Sequence, residues 1–214
     1  MEVADKAGNK GSKELKGTKT GIVTAGQGAI TFGSLSWTNG KANLAISKTS
    51  SLTLQYQLNG TGASGWKTYT GTLTGLANNT IVYARLWDGT NGGSTASCKV
   101  EDLTNPGAPT VVVTAPTTTT SGWYKGNVTV KITAGTDGQT GVNRTTYTLT
   151  GATSKGETTI ASGGTISITA NGTTTVTAYT YDNAGRKSAA KTLAVKKDNV
   201  GPTITTVDTN TKTH

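Results

Sequence analysis

Between Val176 and Asp182 the chain reads V-T-A-Y-T-Y-D, small or apolar residues alternating with polar ones, and N-A-G-R-K-S follows to Ser188. A period of two predicts a strand with one buried face, and an Asp followed by a Gly/Asn-rich run predicts a tight turn and a returning strand. Val82 to Ser94, V-Y-A-R-L-W-D-G-T-N-G-G-S, repeats the pattern, and Val3 to Ser12, V-A-D-K-A-G-N-K-G-S, carries a shorter form. In these turns Asp182 and Asp88 are placed to accept backbone N–H groups. Gly185, Asn91 and Gly92 are the residues expected to take positive φ.

Other segments alternate in the same way. Lys41 to Ser47, which follows Trp37-Thr38-Asn39-Gly40, puts Ala42, Leu44 and Ile46 on one face. Leu52 to Leu58 alternates up to Asn59-Gly60, a dipeptide that predicts a two-residue hairpin. Trp66 to Thr70, Thr80 to Leu86 and Ser97 to Val100 read as further strands. Trp123 to Ile132 aligns with Trp37 to Ile46 without a gap, and Thr146 to Leu149 with Gln55 to Leu58. Thr165 to Ile168 is an additional alternating segment.

The phrase Ala108-Pro109-Thr110-Val111 returns as Gly201-Pro202-Thr203-Ile204. Proline suits an edge or first-strand position, so both places read as the opening of a domain. The implied period is about 93 residues, the size of one β-sandwich domain. The expected organisation is a tail of a preceding repeat over residues 1–16, domains over 17–106 and 107–200, and the first strand of a following repeat over 201–214. Met1 opens directly into that tail, so any export signal or wall anchor is expected outside this sequence.

Composition narrows the class. Thr, Val, Ile and Tyr favour strands, the 29 glycines favour turns, and no stretch combines helical periodicity with caps. The expected fold class is all-β, in two domains. The single cysteine, Cys98, excludes an internal disulfide. No apolar run approaches the ~20 residues of a membrane-spanning helix. The net charge of +9 gathers near Lys6 to Lys19 and Arg186 to Lys197, without the aromatics that a nucleic-acid groove interleaves with its cations. Lysines on outer strand faces also oppose edge-to-edge association.

The junction Asp182-Asn183-Ala184-Gly185-Arg186-Lys187-Ser188 through Asp198-Asn199-Val200-Gly201-Pro202-Thr203-Ile204 resembles the D-x-A-G-N-x-S and D-x-x-x-P-T-[IV] phrases of bacterial immunoglobulin-like repeats in large surface proteins. Leu54 to Gly60 with Trp66 to Gly71 is similar to the Y-x-x-(D/N)-G and W-x-x-Y-x-G pattern of related repeats. The resemblance implies an all-β fold of two tandem immunoglobulin-like β-sandwich domains, strung in series at a cell or virion surface as a stalk or adhesin. Neighbouring repeats of the same chain are the implied partners. A surface glycan, a wall polymer, a phage fibre or an exported hydrolase is the alternative setting.

Candidate chemistry is sparse. The one histidine is His214, and Glu2, Glu14, Glu101 and Glu157 fall at no matching positions in the two domains, so no catalytic residue is assigned and no enzyme is expected. Asp5, Asp88 and Asp182, with Asn183 or Asp198, offer oxygen ligands for calcium, but turn capping accounts for them equally well, and no metal or cofactor is assigned. An internal Lys–Asn bond has no repeated acid beside it. Trp37 and Trp123 are expected to pack in equivalent places. Trp66, Tyr69 and Trp87 are the candidate ligand-contacting residues, because aromatic faces suit sugar rings.

Overall fold

A computed structural model describes residues 29–203 throughout, preceded by the backbone of short strands and of Gly28. Residues 204–214 of the strand expected over 201–214, with His214, Asp5 and half of the expected N-terminal tail, lie outside the described residues, and 201–203 are not strand. The chain forms two compact units. The first comprises Met1–Gly107 with Gly135–Asn143 and Tyr181–Ser188; the second comprises Ala108–Ala134, Arg144–Thr180 and Ala189–His214.

Strands of the first part of the chain are β1 (Glu2–Ala4), β2 (Lys10–Ser12), β3 (Leu15–Lys16), β4 (Gly21–Ala25), β5 (Gly28–Phe32), β6 (Ser36–Thr38), β7 (Lys41–Leu44), β8 (Ile46–Lys48), β9 (Thr53–Leu58), β10 (Lys67–Thr68), β11 (Leu73–Leu76), β12 (Ile81–Trp87) and β13 (Ala96–Lys99). Their main sheet has the order β10-β9-β12-β13-β3, and β11-β7-β6 and β4-β5-β8 form smaller sheets. Strict alternation builds the core between them. Along β12, Val82, Ala84 and Leu86 are fully buried, and Ala42, Leu44 and Ile46 meet them as the sequence pattern predicts. Burying a side chain of this size contributes about 1.5–3 kcal/mol.

The remaining strands are β14 (Thr110–Ala115), β15 (Val128–Thr133), β16 (Val142–Gly151), β17 (Lys155–Ile160), β18 (Gly164–Ile168), β19 (Gly172–Asp182) and β20 (Lys191–Lys197). Sheets β14-β15-β18 and β17-β16-β19-β20 enclose a separate apolar core around Val128, Val130, Ile132, Ile168 and Val176. Each core is closed by its own strands. The described residues are thus all-β, folded as immunoglobulin-like β-sandwiches, and contain no helix long and apolar enough to cross a membrane.

Local expectations fare unevenly. Asn39 and Gly40 adopt φ of 50° and 75°, the positive values that a two-residue hairpin loop between β6 and β7 requires. Asn59-Gly60 is not such a hairpin. Only Asn59 takes positive φ, and it pairs with Ile81 instead, donating its N–H to Ile81 O at 2.8 Å and accepting the Ile81 N–H on Oδ1 at 2.9 Å. Strand β9 returns through a longer loop, so Tyr56 opposes Lys67. The strand expected over Trp66 to Thr70 is shortened to β10.

The Trp-led alignment holds for the core residues and fails for the tryptophans. Trp37 lies in β6 and packs on the core, whereas Trp123 sits ahead of β15 in a turn closed by reciprocal bonds with Thr120 and is 38 % exposed. Tyr124 takes the inner place. Its N–H donates to Lys196 O and its carbonyl accepts from Asp198 N, both at 2.9 Å, while its ring packs on the second core.

Candidate functional site

On β12 the pleat that buries Val82, Ala84 and Leu86 turns Tyr83, Arg85 and Trp87 to the opposite face. Arg85 opposes Gln55 of β9 and donates its Nε to Gln55 Oε1 at 2.9 Å. The guanidinium lies between two indoles, its carbon 4.2 Å from the Trp66 ring centre and 5.0 Å from that of Trp87. Cation–π attraction at such distances contributes about 0.5–2 kcal/mol per ring. Partial burial lowers the Arg85 pKa.

Gly92 makes room for this stack, since a Cβ there would fall 2.6 Å from an Arg85 terminal nitrogen. The sequence assigned Gly92 and Asn91 a positive φ, but in the Asp88 turn that conformation belongs to Gly89, with φ 103°. The expected Asp88 cap is present. Its Oδ1 accepts the Asn91 N–H at 2.6 Å and the Thr90 N–H at 2.7 Å, which together hold its pKa below the ordinary carboxylate value.

Of the three expected ligand residues, the structure brings Trp66 and Trp87 together through Arg85 and sets Tyr69 apart. Tyr69 Oη accepts the Ile46 N–H at 2.8 Å, and its ring meets Tyr56 edge-on, 6.4 Å between centres at 89°. Tyr69 therefore closes a gap in the ladder where β7 gives way to β8.

A second constellation was not legible in the sequence. Within the first unit, Asp102, Asp137 and Asp182 each place a carboxylate oxygen within 4.8 Å of the others. Asp102 and Asp182 are each 1 % exposed. Asp102 Oδ1 accepts from the N–H and hydroxyl of Thr104, both at 3.0 Å, and its Oδ2 accepts from Thr140 N at 3.1 Å and Thr140 Oγ1 at 2.7 Å. Asp137 Oδ2 takes the N–H groups of Gln139 at 3.2 Å and Gly141 at 2.6 Å.

Asp182 caps its own turn as the sequence suggests. Its Oδ1 accepts the Arg186 N–H at 2.8 Å, and Gly185 supplies a φ of 86°. Its Oδ2 is buried and has no hydrogen-bond partner. Burial, with smaller contributions from the charges of Asp102 and Asp137, pushes the Asp182 pKa up, and the Arg186 N–H opposes the shift. Arg186 also reaches back with Nε to the main-chain oxygen of Asp102 at 2.7 Å, and Asn183 Nδ2 holds the carbonyls of Thr140 at 2.8 Å and Gly141 at 3.0 Å.

Asp88 and Asp198, which the sequence also offers for calcium, are elsewhere. Asp88 caps an exposed turn, and Asp198 Oδ1 accepts the Val200 N–H at 2.9 Å. In the second unit Lys197, 2 % exposed, donates Nζ to Asn171 Oδ1 at 2.8 Å. Those are the residue types of an internal Lys–Asn bond, and no carboxylate is hydrogen-bonded to either side chain among the described residues. A surface groove of about 430 Å³ runs past Pro116, Thr120 and Trp123.

No family model and no curated protein matches the chain. Among solved structures it is similar to fibronectin(III)-like modules of Clostridium thermocellum CbhA, at 17 % identity over 91 % of this chain and 95 % of that one, with a TM-score of 0.35. It is also similar to the glycoside hydrolase domain of Endo-D from Streptococcus pneumoniae R6, at 13 % identity over 84 % of this chain and 36 % of that one, TM-score 0.33. The Yersinia pseudotuberculosis adhesin InvE is similar at 10 % identity over 85 % and 56 %, TM-score 0.26. The chain thus spans little more than a third of the Endo-D structure and just over half of that of InvE.

Proposed function

We propose that the chain is a non-catalytic spacer from a repetitive surface protein, two immunoglobulin-like repeats placed in series at a bacterial cell or virion surface. The observation that supports it is the recurrence of one buried triad, Ala42, Leu44 and Ile46 in one core and Val128, Val130 and Ile132 in the other, on matched sequence segments. A unit that closes its own core adds length without needing a ligand, and neighbouring repeats are its natural partners. Pulling single molecules from both ends tests this. Two successive unfolding events are expected, each releasing about 300 Å of chain for roughly 90–100 residues at ~3.3–3.6 Å per residue. One event releasing the whole length would refute the reading.

The Trp66–Arg85–Trp87 stack favours a second, adhesive reading. One face of each indole is taken by the guanidinium, so the patch offers a positive charge held between rings rather than a bare platform. Its fitting partner is an acidic glycan or wall polymer, whose carboxylate or phosphate meets the remaining guanidinium donors.

A further inference from the structure

Trp123 is a large aromatic that the second core does not take. We propose that the groove it lines binds an anionic saccharide, a pyranose bearing a carboxylate or phosphate, at a site within the second unit and separate from the Arg85 stack. The indole is 38 % exposed, yet its main chain is held on both sides. Ahead of it, Thr120 N–H donates to Trp123 O at 2.9 Å and Trp123 N–H to Thr120 O at 3.0 Å, around Ser121 and Gly122 with φ of 51° and 80°. After it, Tyr124 is bonded to the main chain of Lys196 and Asp198, both at 2.9 Å, and packs its own ring on the core. The turn therefore fixes an indole at the surface. An aromatic anchored in this way offers contact area with little side-chain entropy left to lose on binding.

The groove has the size and the mixed lining that a sugar needs. Its volume of about 430 Å³ lies within the range of small-ligand sites. Trp123 and Pro116 are apolar and suit the C–H face of a pyranose ring. The hydroxyls of Thr118 and Thr120 and the amide of Asn127 can each donate and accept, as sugar hydroxyls do.

Charge selects among sugars. Lys125 lies in the wall, and the Lys196 ammonium is 6.0 Å from the centre of the Trp123 ring. No carboxylate lines the groove to oppose them. Among the described residues of the second unit the acidic side chains are Glu157 and Asp198, and Asp198 Oδ1 already accepts the Val200 N–H. Attraction between exposed charges is weak and screened by salt, so the lysines alone do not make a site. A neutral sugar meets the indole without using the lysines, and a bare phosphate meets the lysines without using the indole. A saccharide that carries the anion uses both.

The experiment follows the indole N–H signals of the whole chain by NMR at low ionic strength. The chain carries Arg85→Ala throughout, so the result is independent of the acidic-glycan reading of the stack. There are four tryptophans, and the signal missing from Trp123→Phe is that of Trp123. Trigalacturonate and mannose 6-phosphate are the two probes, and the tighter of them names the anion. At least one is expected to move the Trp123 signal and to saturate with a Kd of about 1 mM, while neutral cellotriose and inorganic phosphate bind at least about tenfold more weakly. Trp123→Ala, and Lys125→Gln together with Lys196→Gln, are each expected to weaken the probe at least about fivefold. Both change exposed side chains, so Tm is expected to stay within about 4 °C of the parent. Should one variant fail to fold, the other carries the test. The proposal is overturned by no movement of the Trp123 signal with either probe at about 10 mM, by equal movement with cellotriose or inorganic phosphate, or by undiminished binding in the folded variants.

Discussion

Replacing Tyr69 by Phe removes a single oxygen and leaves the ring in place, which separates bracing from ligand contact at this residue. The lost group is the acceptor for Ile46 N–H, 2.8 Å away, and Ile46 itself is 5 % exposed. An N–H stranded in such a place costs about 1–3 kcal/mol. Tyr69 is only half-buried, and water entering beside the new Phe returns part of that, so the lower half of the range, about 1–2 kcal/mol, is expected. For a unit of about 100 residues that unfolds by itself each kcal/mol lowers Tm by about 4–8 °C, a drop of about 4–16 °C in all. Tyr69→Leu removes the edge-on contact with Tyr56 as well and costs a further 0.5–1.5 kcal/mol or so. Denaturant unfolding of both variants, with Tyr56→Leu to complete a double-mutant cycle, measures the two contributions separately. If Tyr69→Phe unfolds within about 0.3 kcal/mol of the parent, the hydroxyl is not the partner of Ile46 and the bracing argument fails. If it keeps its stability and loses affinity for an acidic glycan, Tyr69 is a ligand residue after all.

Arg85→Ala unstacks Trp66 from Trp87, and binding to an acidic polysaccharide measured by biolayer interferometry is expected to fall at least about tenfold, more at low than at high salt; unchanged binding removes the adhesive reading and leaves the spacer. Asp88 has its pKa lowered chiefly by the Asn91 N–H and next by that of Thr90, so its contribution to stability is present above the ordinary carboxylate value of about 3.9 and disappears as pH falls through the lower folded value. Asp88→Asn is therefore expected to melt below the parent near pH 6 and to converge with it near pH 2, roughly; a gap that stays constant with pH would mean that the charge on Asp88 does nothing for the turn.

The amino-acid sequence by itself determined which faces are buried and where two of the turns lie. Alternation in Lys41 to Ser47, Val128 to Ile132 and Val176 to Asp182 names core residues correctly, because a strand's two-residue period is a property of each short segment. The Asp88 and Asp182 caps are equally local, each closed within four residues. The Asn59-Gly60 hairpin and the inward Trp123 failed because competing partners, Ile81 and the β20 backbone that holds Tyr124, lie far along the chain. Tertiary structure alone decided that Arg85 lies between Trp66 and Trp87, which required Gly92 to leave space for it. It alone gathered Asp102, Asp137 and Asp182. Each of those aspartates opens or caps a turn of its own, and turn chemistry says nothing of which loops meet. That is settled by the packing of whole strands, whose register is fixed by apolar residues on the other side of the sheet.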